Sequence, residues 1–165
     1  MFKEILPSEL NKTAFEMIGK DWMLITAGDE KSYNTMTASW GGVGVLWNKN
    51  VVFAFVRPQR FTYEFLNDSE YFSCSFFDEN YRQALAYCGK YSGRDVNKAK
   101  ECNITPNFEQ SAPYFDEADT VIICKKLYVQ DMDENCFIDK SLLSNYSGDD
   151  YHRVFVGEIV KVLKK

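Results

Sequence analysis

Strand-like runs that follow one another directly are the strongest constraint on this chain. VVFAFVR (51–57) is the clearest buried strand. WMLITAG (22–28), YNTMTASWGGVGV (33–45), YFSCSFF (71–77), TVIICKKLYVQDMD (120–133) and HRVFVGEIVKVL (152–163) share its β-branched and aromatic bias. GDEKS (28–32) makes a hairpin turn between 22–28 and 33–45, and NKN (48–50) makes the next turn. A parallel sheet needs a crossover of about a dozen residues, usually helical, between paired strands. Here strands mostly follow strands, so the expectation is a mainly β fold, an antiparallel barrel of six or seven strands with short helices.

The helical signals are local. Ser8 reads as the N-cap of SELNKTAFEMIGK, in which Leu10, Ala14, Met17 and Ile18 recur at helical spacing. Pro58 ends the 51–57 strand, and RFTYEFLND follows with Phe61, Phe65 and Leu66 on one face. DENYRQALAYCGK and SGRDVNKAKE read as helices, the second opened by Ser92 with Asp95 three residues on. No repeat, low-complexity tract or linker divides the chain, so residues 1–165 are expected to form one domain. The 13 Phe and 10 Tyr supply a sizeable core.

Charge and composition remove several function classes. Net charge is −5, and the only short cationic groups are Arg57 with Arg60 and the Lys164–Lys165 tail, which is not the basic stripe of a nucleic-acid binder. MFKEILPSELNK lacks the apolar run of a signal peptide, and no window approaches the roughly 18 apolar residues of a membrane span. Cys74, Cys88, Cys102, Cys124 and Cys136 are odd in number and contain no Cys-x-x-Cys pair. They read as small buried hydrophobes in a reducing cytoplasm. His152 stands alone, which argues against a histidine-rich metal site.

Familiar catalytic motifs are missing. Gly41, Gly42 and Gly44 lack the G-x-G-x-x-G spacing and lead into a strand, so they read as relief for a bend or bulge. Cys88-Gly89-Lys90-Tyr91 lacks the upstream Gly and the Ser/Thr of a phosphate-binding loop, and there is no G-x-S-x-G. Asp131, Asp133, Glu134, Asp149 and Asp150 read as solvated turn charges.

Three segments carry chemistry. NTMTASW (34–40) puts four small polar residues in a strand where Val, Ile and Phe are usual, and ends on the indole of Trp40. RPQRFT (57–62) places two guanidinium forks and a hydroxyl where a strand ends and a helix begins. That suits a phosphate dianion, or is an ordinary junction with surface arginines. SGRDVNK (92–98) offers Lys98 about one helical turn past Ser92. Taken singly, Trp40 reads as core and Lys98 as a solvated helix charge.

In order, NTMTASWGG, VVFAFVRPQRFTYEFLNDSEYFSCSFF and SGRDVNK resemble the flavin reductase-like, FMN-binding split-barrel family, especially its flavoredoxin-like members. The likeness is strongest over about 22–100 and again at YHRVFVGEIVKV. It implies a six-stranded antiparallel Greek-key split barrel, a homodimer and one FMN per subunit near the interface. By that likeness Asn34 and Trp40 contact the flavin ring region, and Thr35, Met36, Thr37, Ala38 and Ser39 line the ring and ribityl chain. Arg57, Arg60 and Thr62 fall at the phosphate, Lys98 approaches the flavin, and Phe155 packs near the ring. Some relatives carry a histidine in the third quarter of the chain, and this sequence has none there. The implied activity is NAD(P)H-dependent flavin reduction, with hydride passing from nicotinamide C4 to flavin N5 and no side-chain nucleophile required. The alternatives are a non-enzymatic FMN electron carrier and an interaction module that has lost its flavin.

Overall fold

Two hairpins and the short crossing between them set the architecture. In the computed structural model, which describes residues 1–165, β2 (Met23–Gly28) pairs with β3 (Tyr33–Ala38), and β4 (Gly41–Leu46) pairs with β5 (Lys49–Val56). The β4–β5 turn is Trp47–Asn48, one residue earlier than NKN. Both residues have positive φ, 52° and 58°, as a two-residue turn matched to strand twist requires. The run YNTMTASWGGVGV is therefore two strands, broken at Ser39 and Trp40.

After β5 come α1 (Phe61–Asp68), β6 (Tyr71–Phe76), α2 (Arg82–Lys90) and α3 (Lys98–Cys102). The small β7–β8 pair (Pro106–Asn107, Tyr114–Phe115) then leads to the long strands β9 (Thr120–Asp131) and β10 (Arg153–Lys164). With β1 (Lys3–Ile5) on the end of β10, one antiparallel sheet holds eight strands in the order β3-β2-β6-β9-β10-β5-β4. β3 and β4 close the two ends of that order, yet the link from Ala38 to Gly41 spans at most about 11 Å. The sheet must curl until its edges face each other without pairing. This is the expected antiparallel split barrel, with more strands than the six implied by resemblance.

Both faces of the sheet are covered, which explains the near-continuous apolar runs. Met23, Ile25 and Ala27 of β2 point into a barrel core of 18 buried residues. Leu24 points out into a second core of 13, shared with Leu85 and Cys88 of α2 and with Ala99 of α3. Phe155 belongs to the barrel interior, fully buried and edge-on to Tyr63 at 6.2 Å. Gly157 marks a register shift in β10, where a Cβ would stand 2.6 Å from the Phe72 ring. The glycine run of β4, by contrast, pairs with β5 in unbroken register, so of the expected bend or bulge no bulge is present.

Two helix expectations change. Residues 8–20 do not form one helix capped by Ser8. Pro7–Glu9 is a single 3₁₀ turn, and Phe15–Asp21 is a wide π-type turn that buries Met17 and Ile18. SGRDVNKAKE becomes helical only at Lys98, because the Asn97 side chain caps Lys100 N–H while Ser92 closes a separate turn with Arg94 N–H.

Residues 132–152 form a strap that returns over the seam. Phe137, Tyr146 and Tyr151 pack together, and Asp150 accepts from Arg57 at 2.9 Å and from Gln59 at 3.1 Å. Asp150 is thus an ion-pair partner, not a solvated turn charge. His152, 8% exposed, hydrogen-bonds through Nδ1 to the Tyr146 hydroxyl at 2.8 Å and packs on Trp40. Burial, aided by the Arg57 charge, pulls its pKa from 6.5 down to about 4. The fold holds His152 neutral while the unfolded chain protonates it, so its contribution to stability is present above pH 6.5 and fades as pH falls toward 4. Urea unfolding across that window should show a loss of about 3 kcal/mol that His152→Gln largely removes. Identical profiles for the two proteins would contradict it.

Candidate functional site

The free edge of β3 builds one wall of the site. β3 pairs with β2 alone, so one row of its backbone groups lacks a strand partner. The Thr35 carbonyl points to that side, where it accepts from Lys98 Nζ at 2.7 Å. By the two-residue period of a strand, the backbone of Thr37 faces the same way. The Thr35 hydroxyl is spent inside the sheet on Thr26 Oγ1 and the Ile25 carbonyl. Its offering to a ligand is therefore main chain.

The C-terminal turn of α2 builds the opposite wall. Its last carbonyls have no helical partner and carry the negative end of the helix dipole. The Cys88 carbonyl accepts from Lys98 Nζ at 2.8 Å, and the Gly89 carbonyl accepts from Arg60 Nη1 at 2.7 Å. One turn earlier, the Leu85 carbonyl accepts from Thr37 Oγ1 at 2.5 Å. Three residues from separate segments are thus fixed by one helix end. Asn34 adds a fourth tie, donating through Nδ2 to the buried Thr62 Oγ1 at 2.8 Å and linking β3 to α1. Gly93 lets the 92–97 loop close onto Asn34, since a Cβ there would lie 1.9 Å from Asn34 Oδ1.

Between these walls three cavities run together along β3. The first, about 220 Å³, is lined by Met36, Thr37, Ala38, Ser39, Trp40, Phe55, Arg57, Arg60 and His152. The second, about 260 Å³, shares Met36, Arg57 and Arg60 with it and adds Thr62, Lys90, Tyr91 and Lys98 among its walls. The third, about 290 Å³, shares Gly93 and Lys98 with the second and reaches Asn34 and Thr35. The structure therefore brings Asn34, Thr35, Met36, Thr37, Ala38, Ser39, Trp40, Arg57, Arg60, Thr62 and Lys98 onto one trough. Phe155 lines none of it, because its position in β10 points it into the barrel.

The electrostatics of the trough are unusual for an acidic protein. Lys98 is 6% exposed, a buried cation and not a solvated helix charge. Burial, with Arg60 adding to it, brings its pKa from 10.5 down to about 8. Arg60 is also shifted down, by burial and then by Arg57, but a guanidinium stays charged. Neither takes part in any of the seven ion pairs. Arg57 differs: Asp150 neutralises it, the Asn145 carbonyl accepts from it, and its guanidinium lies 4.9 Å above the Tyr146 ring. α1 starts beside these groups with no side-chain cap on its first N–H groups.

Several lining residues were not legible beforehand. His152 sits beside Trp40 at 5.4 Å between ring centroids, although a lone histidine far along the chain carries no local signature. The carbonyls of Leu85, Cys88 and Gly89 have no signature at all, since every residue has one. Lys90 and Tyr91 could have been suspected only from their nearness to SGRDVNK.

The fold has relatives among solved structures. Flavoredoxin from Methanosarcina acetivorans superposes with TM-score 0.70 at 20% identity, over 88% of this chain and 68% of that one. An FMN-binding domain of a flavin reductases-like enzyme from Shewanella baltica OS155 gives 0.71 at 15% identity, over 99% and 77%. An NADH:FAD oxidoreductase from Streptomyces globisporus C-1027 gives 0.64 at 16% identity, over 88% and 75%. No curated protein matches the chain. At these identities the likeness establishes the fold. The family model for the flavin reductase like domain matches residues 17–165, nearly the whole chain, and on that match this protein belongs to the flavin reductase-like family.

Proposed function

We propose that the trough binds FMN and that the protein is an NAD(P)H-dependent flavin reductase acting as a homodimer. The observation that carries this reading is a pair of cations, the buried Lys98 and the half-buried Arg60, which no carboxylate balances and which flank a polar strand edge. A phosphorylated planar cofactor satisfies both features. Its ring needs hydrogen bonds along one edge and an apolar or aromatic wall, and its phosphate needs cations and free N–H groups. The backbone of β3 with Lys98 would hold the ring edge, Trp40 would cover part of a face, and Arg60, Arg57, Thr62 and the start of α1 would hold the phosphate. When bound, FMN supplies the redox chemistry, exchanging hydride through N5.

The chain's own part is placement and charge. Lys98 puts a positive charge beside the ring edge, where it stabilises negative charge gained on reduction. Asn34, Thr37 and Gly93 fix the walls so that little reorganisation accompanies binding. The exposed Val45, Trp47, Tyr128 and Val129, with Trp47 and Tyr128 rings 6.1 Å apart, form an apolar flank that suits a second copy of the chain. The free cysteines suit a reducing, cytoplasmic setting, and no helix is long and apolar enough to cross a membrane. Similarity in fold to a flavoredoxin favours one second reading, an FMN electron carrier with no nicotinamide activity.

The visible spectrum of the purified protein with FMN, followed by anaerobic NADH or NADPH, separates these readings. Bleaching by a nicotinamide supports the reductase, a yellow protein inert to both supports the carrier, and failure to bind FMN ends both. Arg60→Met should weaken FMN about ten- to hundredfold while leaving riboflavin, which lacks the phosphate, nearly unchanged. Equal losses for both ligands in a flavin titration would place the phosphate elsewhere. Lys98 has a second signature. Its proton is lost as pH rises through about 8, so FMN affinity should fall on the alkaline side of that value. Lys98→Met should bind more weakly at neutral pH and show no such fall; an unchanged profile would remove Lys98 from the site.

A further inference from the structure

Cys88, in the last turn of α2, and Cys102, at the end of α3, have their Sγ atoms 3.8 Å apart, and both are free thiols. Cys88 is fully buried, whereas Cys102 is half-buried and donates weakly to the Ala84 carbonyl. The other cysteines lack this combination. Cys74 and Cys124 are both sealed inside the barrel, and Cys136 is exposed on the strap. The segment between Cys88 and Cys102 contains Gly93, Asn97 and Lys98, so a bond between the two sulfurs would close the loop that shapes the trough into a ring. Cys88 also presents the carbonyl that holds Lys98 Nζ.

We propose that Cys88 and Cys102 form a reversible disulfide, with a hydroperoxide as the oxidant, and that closing it loosens the hold on Lys98. In the first step the Cys102 thiol gives up its proton and the thiolate attacks one peroxide oxygen. The O–O bond breaks, a sulfenic acid forms, and the leaving alkoxide takes up that proton to depart as an alcohol, or as water when the oxidant is hydrogen peroxide. In the second, Cys88 sulfur attacks that sulfur, the S–O bond breaks, and hydroxide leaves with the Cys88 proton as water. Two electrons pass from the thiol pair to the peroxide, and a dithiol reductant reverses the change. The bond requires the sulfurs to move from 3.8 Å to about 2.05 Å. Since α2 and α3 are short and packed together, that contraction shifts the Cys88 backbone against Lys98. Burial raises both thiols, Cys88 to about 12, so the reaction is slow at neutral pH and quickens as pH rises.

The test needs no assumption about what fills the trough. The purified protein is treated with hydrogen peroxide, alkylated, digested without reductant and mapped by mass. The expected product is a Cys88–Cys102 linked peptide, lighter by two hydrogens, that dithiothreitol removes and that Cys102→Ser cannot form. In parallel, acetic anhydride labelling of Lys98 is read against exposed Lys90; oxidation should raise it severalfold and reduction restore it. Oxidation that stops at a Cys102 sulfinic acid, or that links Cys74 to Cys124 instead, overturns the disulfide. A clean Cys88–Cys102 link with Lys98 labelling unchanged overturns the coupling.

Discussion

One ammonium group fastens the working half of this protein together. Lys98 Nζ donates to the Thr35 carbonyl on the open edge of β3 and to the Cys88 carbonyl at the end of α2. Burying a cation is costly, and two backbone dipoles aimed at it offset only part of that cost, which is why its pKa falls toward 8. The arrangement blocks β3 from pairing with another strand there, sets the distance between strand and helix, and leaves positive charge facing the trough. Lys98→Met would leave two inward-pointing carbonyls without donors, so its effects would extend beyond charge.

The same device appears twice in the fold with different outcomes. At the end of α1, Lys126 Nζ donates to the carbonyls of Leu66 and Asn67 at 2.6 and 2.8 Å, which pins that helix to β9 and nothing more. At the end of α2, Lys98 and Arg60 do the equivalent job, but the space beside them is open. A cation at a helix C-terminus is favourable in either place. What sets the second pair apart is the unpaired strand edge opposite.

Much of the frame was legible because strands declare themselves through composition and turn chemistry. The hairpins, the long β9 and β10, and the absence of crossover helices all followed from local patterns. The polar stretch NTMTASW, RPQRFT and Lys98 were also visible as chemistry, and they do converge. The failures have physical causes. Ser8 and Ser92 have the side chains of helix caps, yet capping is a local preference: Leu6 and Glu9 close the first turn, and Asn97 caps α3. Phe155, which the resemblance alone sets near the ring, lies in the barrel core by strand parity. Asp150 looked like a turn charge because its partner Arg57 is 93 residues away.

By itself the sequence determined that this chain is an antiparallel β protein with a polar strand and two arginines at a helix start, since those properties rest on neighbours within a few residues. Only the tertiary structure decided that β3 is an unpaired edge, that Lys98 is buried, that His152 meets Trp40 and that Cys88 touches Cys102. Each depends on which distant segments the barrel seam brings face to face. Closure of the sheet is a property of the whole chain, and no local pattern encodes it.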